Sequence, residues 1–333
     1  MEKIVIIKLG ALGDVVRTLP ILLGLKEKFP DSEITWITKP NAESIVEQSK
    51  HVDRVLTTPL EITEEFDKLY NFDIDKEATD LADKISAKEK KGFYMEDDFI
   101  AAFNLNSEYY LSTIFDDELK KSNTKTYQQM MFEAAELDYQ HQHHGIDFSP
   151  HEDSYAQNFL KENNLTQDRL IGIHIGSSSR WPSKKWHNEN LEDFLKQAST
   201  QGYKLLLLAG PNEIEEVKKI KNELAIEGIK IPSQDPSCSI MEFASLVNLC
   251  KIIISADSLA LHISLALKKP TIGLFFVTSY SEVEDYNLLK KIIAPKHSEF
   301  FPEKSDQYSK ELVKSISTVE VLEVVDTLQN NKQ

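Results

Sequence analysis

The chain has 333 residues, 41% hydrophobic and 28% charged, which is the composition of a folded globular protein and long enough for about two domains of ~150 residues. Its 38 basic and 54 acidic residues give a formal charge of −16. So acidic a surface argues against nucleic acid as the main partner, because a phosphate backbone needs a Lys/Arg-rich footprint, and against a broad basic face on an anionic membrane.

In chain order, Met1-Glu2-Lys3 runs into Ile4–Ile7 and then Lys8. This run is too short for a signal-peptide core or a membrane span, so a soluble, cytoplasmic protein with only peripheral membrane contact is expected. The β-branched run Ile4–Ile7 reads as a strand buried on both faces of a parallel sheet. Gly10-Ala11-Leu12-Gly13 turns the chain, and Asp14 stands where a helix N-cap belongs, ahead of Val15, Val16, Leu19, Leu22 and Leu25 at helical spacing. Pro30-Asp31 ends that helix and Ile34–Ile37 is the next strand, followed by strands at Val52–Leu56 and Leu69–Phe72. The stretch from Asp73 to His144 reads as more helical and more charged. A domain boundary is expected near Phe148-Ser149-Pro150, giving domains 1–149 and 150–333. The second domain repeats the alternation: strands at Leu170–Ile175, Lys204–Leu208, Ile252–Ile254, Thr271–Phe276 and Lys291–Ile293, with helices at Leu191–Ala198, Ile214–Ile226, Ile240–Leu249, Ser258–Leu267 and Thr318–Leu328. Two doubly wound α/β domains are predicted, with ligands at the carboxyl ends of their strands and at a cleft between the halves. Cys238 and Cys250 form no Cys-x-x-Cys pair, which points to a reducing compartment.

Three segments carry candidate chemistry. Gly10–Asp14 follows the first strand, and Asp14 reads either as an N-cap or as a carboxylate able to take a proton from a hydroxyl. Gly176, Ser177, Ser178, Ser179, Arg180, Lys184 and Lys185 follow the first strand of the second half and read either as an anion cradle or as a solvated basic loop. Asp257, Ser258 and His262 sit at a strand end and on one face of the next helix, either as caps with a half-buried histidine or as ligands for sugar hydroxyls and phosphate. His141, His143 and His144 lack a companion Cys or carboxylate at metal-site spacing, so no metal is expected there. The cluster Lys84, Lys88, Lys90 and Lys91 reads as a solvated helix face or as a surface for an anionic lipid core.

In order and spacing these segments resemble glycosyltransferase family 9, the ADP-heptose:lipopolysaccharide heptosyltransferases. The resemblance rests on Gly13-Asp14-Val15-Val16-Arg17-Thr18-Leu19-Pro20, on Ile171–Gly176 followed by Ser183-Lys184-Lys185-Trp186, and on Asp257-Ser258-Leu259-Ala260-Leu261-His262 with Lys269-Pro270. It departs where Leu259 and Phe276-Val277 replace a glycine and a Gly-Pro of the family. The resemblance implies the GT-B architecture, with two Rossmann-like domains facing across a cleft and a closing helix able to return to the N-terminal domain. It implies an inverting, metal-independent transfer from a nucleotide sugar, ADP-heptose first, to a lipopolysaccharide or related glycan, with no further cofactor. Asp14 is then the general base, with Gly13 and Arg17 on the acceptor side. Lys184 neutralises the leaving diphosphate, and Gly176, Ser177, Ser178, Lys185, Asp257, Ser258 and His262 line the donor pocket. Beside this stand two other readings: a nucleotide-sugar-binding protein with a decayed site, and a sugar-nucleotide epimerase of the same architecture.

Overall fold

The computed structural model describes residues 1–178 and 180–330; Ser179 of the candidate basic loop and residues 331–333 lie outside the described residues. The chain divides into two compact units, Met1–Asp147 with Ser281–Glu284, and Phe148–Tyr280 with Asp285–Gln333. The division falls after Asp147 rather than after Ser149, because Ser149-Pro150 opens a helix of the second unit, Pro150–Glu162. Ser149 and Glu152 form its capping box and proline takes the first turn, where its missing N–H costs nothing.

The first unit holds β1 (Lys3–Ile7), β2 (Glu33–Thr38), β3 (Arg54–Thr57), β4 (Phe66–Asn71), β5 (Ala87–Glu96) and β6 (Phe99–Ala102) in one sheet, ordered β3-β2-β1-β4-β5-β6. The first five run parallel and β6 pairs antiparallel with β5. Ile4–Ile7 are fully buried, as a central parallel strand covered on both faces requires. In the second unit β7 (Leu170–His174), β8 (Lys204–Leu208), β9 (Ile252–Ala256), β10 (Thr271–Phe275) and β11 (Leu289–Ile293) form an all-parallel sheet, ordered β11-β10-β9-β7-β8. In each sheet the winding direction reverses once, between β1 and β4 and between β7 and β9. Ligands of open α/β sheets bind at such switch points.

Several expectations need correction. The first helix is two, Leu12–Thr18 and Ile21–Lys28, parted at Leu19-Pro20, because Pro20 has no N–H to continue the ladder. Lys88, Lys90 and Lys91 lie on the strand β5 rather than on a helix face. The exposed Lys88 pairs with Asp67 at 2.6 Å, and the buried Lys91 pairs with Glu136 at 2.7 Å, so the charge of Lys91 is spent within the fold. The β5–β6 hairpin turns at Asp97-Asp98, both with positive φ (46° and 66°), which the charged composition of this region concealed. The closing helix is Thr318–Asn330. Val321 and Val325 enter the second-unit core, and Asp326 accepts a 2.6 Å hydrogen bond from Tyr203 Oη.

Candidate functional site

At the first switch point, β1 ends at Ile7 and the loop Lys8–Ala11 leads into helix Leu12–Thr18. Asp73, just past β4, holds this loop. Its Oδ2 accepts from the backbone N–H of Leu9 at 2.7 Å and of Gly10 at 2.5 Å, and its Oδ1 lies 3.3 Å from Lys8 Nζ, which also donates to Phe72 O at 3.0 Å. Burial opposes the charge on Lys8, yet Asp73, ahead of Tyr127 and Asp14, holds its pKa above the ordinary lysine range. The helix begins after Ala11, without a side-chain cap, so Asp14 is not its N-cap. Asp14 lies instead in the first turn, where the helix dipole favours a negative charge. Its side chain is 35% exposed and its Oδ1 is 2.9 Å from Arg17 Nη2, one turn along. The Arg17 guanidinium lies 3.8 Å from the centre of the Tyr127 ring, and Tyr127 Oη is 3.0 Å from Thr18 Oγ1. Gly13 is the second residue of the same helix. The result is an accessible carboxylate in the first turn of a helix, with the Arg17 guanidinium beside it.

The second switch point is built from loops that follow β7 and β9. Lys184 Nζ, from the first loop, lies 3.5 Å from Asp257 Oδ2, at the end of β9. His262 Nε2, from helix Leu259–Ala266, lies 3.4 Å from Asp257 Oδ1. Lys184 is placed by its neighbours in sequence. The buried Ser183 donates to Gln307 O and accepts from Ser309 N–H, both at 2.8 Å, and Trp186 Nε1 donates to Ile316 O at 2.9 Å. Gly176 closes on Glu213, whose Oε2 accepts from Gly210 N–H at 2.9 Å. A β-carbon at Gly176 would lie 2.7 Å from that same oxygen, so only glycine fits without displacing it. Ser258 occupies the N-cap position of its helix but its side chain does not cap; it meets His174 Nδ1 at 3.1 Å and Ser255 Oγ at 2.8 Å. Leu259 is the first residue of that helix, while Phe276 and Val277 are buried in the second-unit core.

The structure thus gathers Lys184, Asp257 and His262, with Ser258 adjacent. It does not bring Lys185 to them: Lys185 Nζ is held by both carboxylate oxygens of Glu216 at 2.7 and 2.8 Å. Ser177 is half-buried, whereas Ser178 is exposed and accepts a bond from the N–H of Arg180 at 3.3 Å; the Arg180 guanidinium sits 4.9 Å from the centre of the Trp181 ring. Sequence reasoning missed Asp73, Tyr127, Glu213 and His174. For Asp73 and His174 a signal existed, since each lies at or just beyond the carboxyl end of a strand beside a switch point. Of the three clustered histidines, His144 is buried against Ser49 (2.8 Å) and His141 meets Glu284 (3.1 Å). Among the described residues no group of three or more His, Cys, Asp or Glu side chains is arranged to hold a metal ion. No helix is long and apolar enough to cross a membrane.

The model of glycosyltransferase family 9 (heptosyltransferase) matches residues 86–313, a span that contains Lys184, Asp257 and His262 and begins after Asp14. Lipopolysaccharide heptosyltransferase 1 of Campylobacter coli is 24% identical over 316 residues, covering 87% of this chain and 89% of that protein. The glycosyl transferase family 9 structure from Veillonella parvula DSM 2008 is similar in fold with a TM-score of 0.78, at 20% identity, over 99% of this chain and 98% of that one. The ADP-heptose lipopolysaccharide heptosyltransferase II of E. coli gives a TM-score of 0.73 at 17% identity, over 99% of each chain.

Proposed function

Because the chain belongs to glycosyltransferase family 9, we propose that it moves heptose from ADP-heptose to a hydroxyl of a lipopolysaccharide core or related surface glycan. The transfer inverts the anomeric centre and requires no metal. In this reading the first unit takes the acceptor, with Gly13 and Arg17 beside the base, and the second unit takes the nucleotide sugar. Work on a lipid-linked acceptor would be done at the cytoplasmic face of a membrane through peripheral contact.

The chemistry follows from two groups. Asp14 accepts the proton of the acceptor hydroxyl as its oxygen attacks the anomeric carbon from the face opposite the leaving group. The bond from that carbon to the diphosphate oxygen breaks, and the electron pair leaves with ADP. Lys184 meets the charge that develops on that oxygen, the electrostatic task a metal performs elsewhere. Asp257 and His262 accept or donate to donor hydroxyls. The observation that carries this reading is the 3.5 Å approach of Lys184 to Asp257, which joins a cation and a carboxylate from two separate family motifs at one switch point. A pocket for a sugar diphosphate needs that pair of opposite charges, one for phosphate and one for hydroxyls.

The test is nucleotide release from purified protein with ADP-, GDP-, UDP- and CMP-sugars, with and without a lipopolysaccharide-core acceptor. Acceptor-dependent release from ADP-heptose alone, unaffected by a chelator and with an inverted product anomer by NMR, is expected. Binding without release would favour a decayed reader, and release from another donor would reassign the sugar.

A further inference from the structure

Behind the proposed donor site runs a chain of three hydrogen bonds whose direction can be worked out. Ser255 Oγ is 2.7 Å from the carbonyl oxygen of Ala256, which can only accept, so the single hydroxyl hydrogen of Ser255 is spent there. The 2.8 Å contact between Ser255 Oγ and Ser258 Oγ must then use the hydrogen of Ser258. With that hydrogen also spent, the 3.1 Å contact between Ser258 Oγ and His174 Nδ1 requires a proton on Nδ1. Burial alone pushes the His174 pKa down to about 4, so the ring is neutral at pH 7 and carries one proton, in agreement with this direction. His174 is the last residue of β7 and its ring packs edge-on to Phe243, 6.1 Å between centres.

We infer that His174 is a positioning residue for donor recognition: through its Nδ1–H it holds Ser258 with the hydroxyl hydrogen turned toward Ser255. This rests on the reading of the Asp257–Ser258 corner as the donor site. Ser258 then has one lone pair left for a ligand. A sugar hydroxyl can donate to it; a phosphate oxygen, itself an acceptor, cannot. Ser258 therefore belongs with Asp257 as a reader of sugar hydroxyls, and diphosphate recognition falls to Lys184.

The direction of the chain is tested first by 15N NMR of the histidine ring in the full-length protein at pH 7. The Nδ1–H tautomer of His174 is expected, and the Nε2–H tautomer would overturn the proposal whatever the substrate proves to be. Binding of ADP-heptose and of ADP is then compared across Ser258→Ala, His174→Phe, His174→Asn and the Ser258→Ala/His174→Phe double variant. Loss of one hydrogen bond should raise the Kd for ADP-heptose about tenfold in either single variant and leave that for ADP within about twofold. The double variant should be no worse than Ser258→Ala, and His174→Asn, whose side-chain amide can replace the Nδ1–H donor, should bind like the parent. Additive losses, or equal weakening of ADP, would overturn it. If the parent binds another nucleotide sugar and not ADP-heptose, the functional reading fails while the NMR result still decides the role of His174.

Discussion

The two switch points solve the same placement problem by different means. After β1 the turn is short, and one buried carboxylate, Asp73, ties down two consecutive backbone amides and a lysine before the helix begins. After β7 the chain wanders from Ile175 to His187 before its helix starts at Asn188. Near its far end Ser183 and Trp186 pin that loop, just where Lys184 projects. The first arrangement suits a group that must meet one proton at hydrogen-bond distance. The second suits a charge that must follow a leaving diphosphate, since a point charge on a flexible stem tolerates small displacement.

The comparison breaks most sharply at its two charged ends. Asp14→Asn should lower acceptor-dependent nucleotide release by about 10²–10⁴-fold with donor binding retained, as expected for loss of a general base. A rate within threefold of the parent would remove Asp14 from that role. Lys184→Ala should cost about 10²–10³-fold in turnover, the range for removing one electrostatic donor to a developing anion. If turnover were unchanged, the diphosphate would have to be met by Arg180 or Lys185 instead.

Rigidity of the first turn gives the next effect. Asp73→Asn leaves Lys8 charged, with 4% side-chain exposure and no carboxylate beside it, which costs about 3–5 kcal/mol for a buried pair broken on one side. Urea unfolding followed by hydrogen exchange should show the loss in the first unit and leave the second unchanged. Uniform destabilisation of both would mean the units do not unfold separately.

Acid should act on both units alike. Burial, the leading cause, lowers His144 in the first unit to about 4, as it does His174 in the second. Between the unfolded value near 6.5 and the folded value near 4, the unfolded chain binds a proton that the folded one refuses. Stability is therefore fully present above about pH 6.5 and falls as pH drops toward 4, by up to about 1.4 kcal/mol per pH unit for each such histidine. His144→Gln should flatten that slope for the first unit only, measured as local stability by hydrogen exchange at pH 6.5 and 5. A slope that persists would place the acid sensitivity elsewhere.

What the sequence made legible follows the strength of its local signals. Lys204–Leu208, Ile214–Ile226 and Ile240–Leu249 appear with the bounds their hydrophobic periods define, because core-facing residues there repeat without interruption. The strand β5 was hidden because Lys88, Lys90 and Glu89 read as a charged helix; only the pairing with β4 and β6 makes it a strand. The return of Ser281–Glu284 to the first unit, where Glu282 O accepts from the N–H of Tyr127 at 2.8 Å, depends on contacts far apart in sequence and leaves no periodic trace. At the site, the motif residues Lys184, Asp257 and His262 were legible as family pattern. Asp73 and His174 act through backbone amides and a serine, which no residue-type signature records.

Lys184 and Lys185 are neighbours of identical chemistry, and side-chain type alone does not separate them. The fold does. The two lysines lie in a bend of the loop, just after a turn closed by the bond from Lys184 N–H to Trp181 O at 3.0 Å, and there one reaches Asp257 while the other reaches Glu216, on helix Ile214–Ile226. Lys185→Ala should therefore change the Kd for the nucleotide sugar by less than about twofold and lower stability by no more than about 1 kcal/mol, the worth of a partly exposed ion pair. Glu216→Gln should do the same, and the double variant should add nothing, because both remove one contact. A donor Kd raised tenfold by Lys185→Ala alone would mean that the pair with Glu216 opens when the sugar nucleotide binds, and that Lys185 joins Lys184 on the diphosphate.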